Sequence, residues 1–251
     1  MRSLVGAWRL VRLTVHILAG LLAVSRFVGY DKPQRHAVVR RWSRRTLELL
    51  GVTVNVQGEP HAGPKLLAAN HVSWLDIAAV HAVMPEARFV SKADVRQWPL
   101  VGKLVDSADT LYIERSSKRD ALRVVHQVAD ALKAGDTVAF FPEGTTGAGP
   151  ELLPFHGNLL QAAIATQTPV QPMALRWHQP GERFSSSARF IGDTTLVQSL
   201  WAIACARGLA IELKLMPAQA TSHEAERRVL AEGLREKIGA ELSSHKGIAP
   251  G

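Results

Sequence analysis

The chain has 251 residues, of which 47% are hydrophobic, and this is enough to bury one sizeable core. Its single cysteine, Cys205, cannot form an internal disulfide, so no oxidising compartment is required and a cytoplasmic active site is expected. Residues 1–50 carry ten Lys and Arg against two acids and account for the whole net charge of +8. Basic charge confined to an apolar N-terminal segment is typical of proteins on anionic lipid, whereas nucleic-acid-binding proteins more often spread it over a folded face.

The N-terminal segment is predicted to form two amphipathic helices. In residues 2–16 the basic side chains share one stripe when the segment is projected on a helix. The uncharged run 13–25 would extend only about 20 Å as a helix, short of the ~30 Å hydrocarbon core, so it should enter one leaflet without crossing. A second helix over 35–50 would place arginines on one side and apolar residues on the other. A signal peptide and an ordinary core-packing helical hairpin are the alternatives.

From residue 51 onward, short apolar runs alternate with segments of helical periodicity. The predicted strands are 52–56, 66–69, 89–90, 111–113, 137–141, 170–175 and 209–215. The predicted helices start at Ser73 and cover, further on, 117–135, 158–166, 196–206 and 223–242. This alternation predicts an α/β fold: a mixed, largely parallel sheet covered by helices, with functional residues on loops at strand ends.

The segment 70–76, Asn-His-Val-Ser-Trp-Leu-Asp, stands where a buried strand ends and a helix begins. His71 and Asp76 would lie about 140° apart on a continuous helix, so contact between them requires a bend in the chain. Ser73 is predicted to supply the bend as the N-cap, with Asp76 completing a capping box. The spacing alone leaves two interpretations, a His–Asp pair or a helix cap preceded by a loop histidine.

A second polar segment, 140–147, follows the predicted strand that ends at residue 141. Its glycines, Gly144 and Gly147, permit close backbone approach. The hydroxyls of Thr145 and Thr146, together with exposed amides, suit a phosphate or carboxylate. An ordinary polar turn after a strand explains the same residues.

Together, His71-x4-Asp76 and the run 141–145, Phe-Pro-Glu-Gly-Thr, resemble the PlsC-type glycerolipid acyltransferases, also called 1-acylglycerol-3-phosphate acyltransferases. An intermediate and a late block of that family are matched by Lys92, Pro99, Gly102, Tyr112-Ile113-Glu114-Arg115 and Val170-x-Pro172. The match covers about residues 50–180, and four ordered blocks are far more specific than any single one. Two positions depart from the family pattern, which usually has Arg where Thr146 stands and Gly where Asp109 stands.

The resemblance implies an acyltransferase domain over 51–251, preceded by membrane-associating helices in 1–50. His71 would act as the general base and Asp76 as its partner, with no metal or other cofactor. The acyl donor would be acyl-CoA or acyl carrier protein. The implied substrate-binding residues are Lys92, Arg115, Glu143, Gly144, Thr145 and Thr146.

The acceptor implied by the resemblance is a lysolipid, with 1-acyl-sn-glycerol-3-phosphate first and a lyso-ornithine lipid as the alternative. Thr146 raises that alternative, because the missing Arg would have been a bidentate phosphate donor. The implied location is the cytoplasmic face of the cell inner membrane, as a peripheral or monotopic protein.

Other functions compete with this interpretation. A thioester or lipid hydrolase, a non-catalytic membrane-binding protein and a nucleic-acid-binding module using the Arg-rich segment 35–45 are the rivals, and the last leaves the four ordered blocks unexplained. A metal site that joins His71 to His81, His156 and His178 is also open, although the spacing matches no compact zinc pattern.

Overall fold

A computed structural model describes residues 2–98, 101–114 and 118–244. The strands are β1 (Thr53–Gln57), β2 (Lys65–Ala69), β3 (Ala87–Lys92), β4 (Leu111–Ile113), β5 (Thr137–Phe140), β6 (Val170–His178) and β7 (Ala210–Leu215). The helices are α1 (Arg2–Val24), α2 (Lys32–Leu50), α3 (Asp76–Val83), α4 (Val101–Ser107), α5 (Lys118–Lys133), α6 (Leu160–Thr166), α7 (Leu196–Cys205) and α8 (Arg227–Ser244).

In the described part of the chain, the strands form one seven-stranded sheet in the order β1-β7-β6-β2-β5-β3-β4. Its neighbouring strands are parallel except for β6 and β7, which pair antiparallel. The central strand β2 is buried at all five positions because helices cover both of its faces. The predicted mixed, largely parallel sheet covered by helices is confirmed.

Helices cover the sheet in two layers, and alternate residues of β2 face one layer or the other. Leu67 belongs to the core on the side of α1, α2, α3 and α7, which also contains Leu50 and Ile203. Leu66 belongs to the core on the side of α5, α6 and α8, together with Leu160. The carboxyl ends of β2 and β5 therefore meet at one edge, and both predicted motif turns follow these two ends.

Several helix starts differ from the sequence prediction, among them α6, which begins at Leu160, and α8, which begins at Arg227. The helix α2 begins at Lys32 because the Asp31 side chain accepts the N–H of Gln34 and the Gln34 side chain accepts the N–H of Asp31. The prediction that Ser73 is the N-cap of α3 is wrong, although one bond of the predicted capping box forms, because the Ser73 N–H donates to Asp76 Oδ2. The helix α3 begins at Asp76, its cap position is Leu75, and no side chain caps it there. The short helix α4 was not predicted.

The helix α1 is longer than the uncharged run that marked it in the sequence. Its 23 residues extend about 34 Å, so by length and composition alone it could cross a bilayer. It packs against α2 and α7, where its Leu13 joins the core that also contains Leu47 and Leu50 of α2. The division of the chain at residue 50 into a membrane-associating segment and an acyltransferase domain stays a prediction. The structure adds that the two N-terminal helices share a core with the rest of the chain.

The predicted basic stripe of α1 is divided between protein and solvent. Arg9 donates from Nη1 to the carbonyls of Ala204 and Ala206, each at 2.9 Å. His16 stacks on the Trp42 ring, with 5.2 Å between the ring centroids. Two of the basic residues therefore hold α1 on α7 and α2 and do not face a lipid surface.

Candidate active site

The first motif turn is fixed at its start by a buried asparagine. Asn70 follows β2, donates from Nδ2 to the Leu175 carbonyl at 2.9 Å and accepts the Leu175 N–H at 2.7 Å. These two bonds extend the pairing of β2 with β6 by one residue through a side chain. The backbone then leaves the sheet, and His71 is the first residue beyond it.

Asp76 forms the centre of this turn. Its side chain is fully buried, and its Oδ2 lies 2.8 Å from His71 Nδ1. The same oxygen accepts the N–H groups of Val72 and Ser73 at 2.8 and 2.9 Å, while Oδ1 accepts the indole N–H of Trp177 at 2.6 Å. The carboxylate thus bends the chain and contacts the imidazole at once, so the two interpretations of the spacing are both partly correct.

The imidazole of His71 is held in plane by an aromatic neighbour. Its ring stacks on Phe141 with 3.8 Å between centroids and an interplanar angle of 4°. Phe141 in turn lies 5.5 Å from the ring of Phe89 on β3. With Nδ1 directed at Asp76, Nε2 is the ring nitrogen that remains for a substrate.

The second motif turn is joined to the first through Glu143. This side chain is buried, its Oε1 accepts the N–H of His71 at 2.7 Å, and its Oε2 accepts the N–H of Leu153 at 2.9 Å. Burial raises the pKa of the Glu143 carboxyl, and the N–H groups of Leu153 and His71 act in the opposite direction. The Gly147 N–H donates to the His71 carbonyl at 2.7 Å, so both sides of the His71 backbone are fixed by this turn.

An apolar cavity of about 350 Å³ opens beside His71, between the N-terminal helices and the sheet. Its walls include Gly20, Ala23 and Val24 of α1 and Val38, Val39 and Trp42 of α2. Besides His71, the lining includes the polar residues Lys92, Thr145 and Thr146 and the backbone of Gly144. An apolar chain with a polar end would match this distribution.

Residues 52–176 match the family model described as Acyltransferase. The 1-acyl-sn-glycerol-3-phosphate acyltransferase of Neisseria gonorrhoeae is 33% identical over 245 residues, which cover 96% of this chain and 94% of that protein. The chain belongs to the PlsC-type acyltransferase family. The lyso-ornithine lipid O-acyltransferase of Pseudomonas aeruginosa is 39% identical over 76% of this chain and 73% of its own length.

A solved structure shows the same fold. The 1-acyl-sn-glycerophosphate acyltransferase PlsC from Thermotoga maritima superposes with a TM-score of 0.69 over 99% of this chain and 100% of that one, at 20% identity. Membership of the PlsC-type family makes the chain an acyltransferase, as the motif blocks indicated.

The two departures from the PlsC-type pattern have different structural settings. Asp109 has a left-handed φ of 52°, the backbone conformation in which glycine is favoured, and its carbonyl accepts from Arg88 Nε at 3.0 Å. Thr146 donates its hydroxyl to the Phe190 carbonyl, and the Phe190 N–H donates to the Val72 carbonyl at 3.0 Å. Phe190 therefore links the two motif turns at the position where the family usually has an arginine.

The sequence-based substrate residues are only partly brought together. Lys92, Gly144, Thr145 and Thr146 line the His71 cavity, whereas both carboxylate oxygens of Glu143 are occupied by backbone N–H groups. Arg115 and Pro99 lie outside the described residues. Among the described residues, no cluster of three or more His, Cys, Asp or Glu side chains could hold a metal ion.

Sequence reasoning missed Trp177 and Phe190. Trp177 lies in β6, where eight of the nine residues are buried. A tryptophan is expected in such a strand for packing alone, so the sequence did not indicate a role at the site. Phe190 lies in an irregular segment after β6 that carries no motif. In each case the contact is made across a long sequence separation, and no local pattern signals it.

Proposed function

We propose that this acyltransferase moves a fatty acyl group from a thioester, acyl-CoA or acyl carrier protein, to the free hydroxyl of a lysolipid at a membrane surface. The observation that carries the proposal is the buried Asp76 bonded to a His71 ring that opens on an apolar cavity. The names of the relatives add the acceptor class, since both act on lipids that lack one acyl chain.

The geometry supports general-base catalysis. Nε2 of His71 would take the proton of the acceptor hydroxyl as the hydroxyl oxygen attacks the thioester carbonyl. Asp76 would hold the Nδ1–H tautomer and stabilise the imidazolium that forms. When the tetrahedral intermediate collapses, the carbon–sulfur bond breaks and the imidazolium returns its proton to the thiolate, so ester and thiol are the products.

The tetrahedral oxyanion needs hydrogen-bond donors, and most backbone amides near His71 already have acceptors. The N–H groups of Val72 and Ser73 donate to Asp76, and those of Gly144 and Gly147 donate to backbone carbonyls. We therefore assign the oxyanion to the N–H groups of residues 145 and 146, which stand in the cavity wall beside His71.

The acceptor we favour is 1-acyl-sn-glycerol-3-phosphate, with Lys92 and backbone amides as its phosphate contacts. The second candidate is a lyso-ornithine lipid. It is favoured by Thr146, whose hydroxyl bonds Phe190 and supplies no cation, and by the 39% identical relative that acts on that lipid.

Competition between the two acceptors tests this choice. Purified protein is offered both lysolipids in equal amounts with one labelled acyl-CoA, and then with the matching acyl carrier protein. Preferential formation of phosphatidic acid is expected, and Thr146→Arg should increase that preference because a guanidinium adds a planar phosphate donor. Exclusive acylation of the amino-acid lipid would reverse the order of the candidates. Release of free fatty acid without acylated lipid would indicate a hydrolase.

Residues 1–50 should hold the enzyme on the cytoplasmic face of the inner membrane without crossing it. Supporting this, α1 packs on α2 and α7 along one side and exposes apolar residues on the other, namely Leu4, Trp8, Val11, Val15, Leu18 and Leu22. Washing membranes with alkaline carbonate or high salt should release a measurable fraction, and deleting residues 1–33 should release more. Protease cleavage of an N-terminal tag from the outer side would contradict a one-sided anchor.

Trp177 is expected to act as a positioning residue for Asp76. Trp177→Phe keeps a large buried ring and removes the N–H that lies 2.6 Å from Asp76 Oδ1. With one donor fewer, the Asp76 carboxylate is held less firmly against His71. We expect kcat to fall by roughly tenfold with a much smaller change in KM. A lower thermal stability with an unchanged kcat would reduce Trp177 to a packing role.

A further inference from the structure

Two exposed apolar side chains lie on α7, outside the N-terminal helices. Val197 is 75% exposed and Trp201 is 42% exposed. They are four residues apart and therefore lie one turn apart on the same side of the helix. No charged residue occurs in α7, and its ten residues extend only about 15 Å. A helix of this length could lie along a bilayer surface but could not cross it.

The row of α7 that contains Val197 and Trp201 ends at a contact with α1. The next position in the row, Cys205, is covered by Gly6, where an added Cβ would lie 2.5 Å from the Cys205 sulfur. Only a glycine lets the two helices approach this closely. One turn further along α1, the Arg9 side chain bonds the carbonyls of Ala204 and Ala206. The row of α7 that contains Val197 and Trp201 therefore ends at the contact with the first turns of α1.

The charges of these two helices and of the residues next to them suit an anionic partner. Neither α1 nor α7 contains an acidic residue. Apart from Arg9, which bonds backbone carbonyls of α7, arginines occur at positions 2 and 12 of α1 and at 207, just beyond α7. The nearest acid to α7 in sequence is Asp193, before its start. Apolar residues, a half-exposed tryptophan and flanking arginines are the combination found at a lipid headgroup boundary.

We propose that Val197 and Trp201 of α7 form, with the outer face of α1, one surface that binds an anionic bilayer. The acyltransferase domain then contacts lipid through a helix of its own. This inference rests on the membrane-surface part of the proposed function. It adds α7 to α1 and α2 as a third helix that contacts the membrane.

This contact also connects the bilayer to the catalytic turn. On its inner side, α7 carries the buried Ser199, whose Oγ accepts the indole N–H of Trp74 at 3.1 Å. Trp74 lies between His71 and Asp76 in the sequence and lines the apolar cavity. A bilayer bound to the outer side of α7 would therefore fix the direction in which the cavity mouth faces lipid.

An environment-sensitive fluorophore tests the surface position by position. In the full chain with Cys205→Ala, a single thiol is introduced by Val15→Cys on α1, Trp201→Cys on α7 or Val229→Cys on α8, and each is labelled. Val229 is the matched control, since it is 66% exposed but lies on α8, which covers the other face of the sheet. Vesicles of phosphatidylglycerol and phosphatidylcholine in equal parts are added.

Blue shifts at positions 15 and 201, with none at 229, are expected. A shift at 15 but not at 201 would overturn the α7 contact and leave the membrane location intact. No shift at either position would overturn the membrane location itself. A shift at 201 that depends on protein concentration without vesicles would identify a second copy of the chain as the occupant and also overturn the proposal.

A charge variant gives an independent measure of the same contact. Val197→Glu combined with Trp201→Glu should weaken partitioning into these vesicles by roughly tenfold, because two apolar groups no longer leave water and two acids meet anionic lipid. Val229→Glu is the control and should partition like the wild type. Circular dichroism and thermal melting establish that each variant is folded. Equal partitioning of a folded double variant and the control would rule out the α7 contact.

Discussion

Replacing His71 with Ala should lower kcat by at least ~100-fold while the protein stays folded, which is the usual loss for a general base. The side chain is only 16% exposed, but its removal leaves the Asp76 carboxylate with the N–H groups of Val72, Ser73 and Trp177. The buried charge therefore keeps three of its four donors. Little change in the melting temperature is expected, so a rate loss can be assigned to chemistry.

The measurement is kcat for acyl transfer from one acyl-CoA, together with a melting curve for each variant. His126→Ala is a suitable control, because His126 lies exposed on α5, on the other side of the sheet. It should retain full activity. Near-normal turnover by a well-folded His71→Ala protein would remove His71 from the mechanism.

The order of elements could be predicted because burial leaves a local pattern in the sequence. The run 66–69 is apolar throughout since β2 has helices on both faces, and that pattern alone indicates a central strand. The start of α2 could also have been predicted from the sequence, because Asp31 and Gln34 have the spacing of a capping box. The same rule placed the cap of α3 at Ser73, two residues before the observed cap position Leu75, although Asp76 does accept the Ser73 N–H as the rule requires.

The candidate site was predictable only where its residues share one turn. His71 and Asp76 are five residues apart, and the motif made their pairing a definite hypothesis. Trp177 lies 101 residues from Asp76 in sequence, so its donor role depends on the strand order, which brings β6 beside β2. Glu143 was expected to bind substrate from its motif. Its bonds to the N–H groups of His71 and Leu153 indicate instead a part in shaping the site.

Asp76→Asn should lower both stability and activity, because this carboxylate has four N–H donors directed at two oxygens. An amide offers one oxygen and one NH₂ group, so at least one donor must face the NH₂. We expect a loss of about 1–3 kcal/mol of stability, typical of a buried donor without an acceptor. The rate should fall by roughly 10³–10⁴-fold, because the imidazole loses the partner that fixes its tautomer.

A double variant separates these two effects. If the NH₂ of the introduced amide is placed against the indole, Trp177→Phe removes the conflicting N–H and should restore part of the lost stability. It cannot restore the negative charge beside His71, so activity should stay low. We would compare melting temperatures and kcat for both single variants and the pair, assayed well below every melting point. If activity recovered in parallel with stability, Asp76 would be acting only through the fold of the turn, and the proposed pairing with His71 would have no catalytic part.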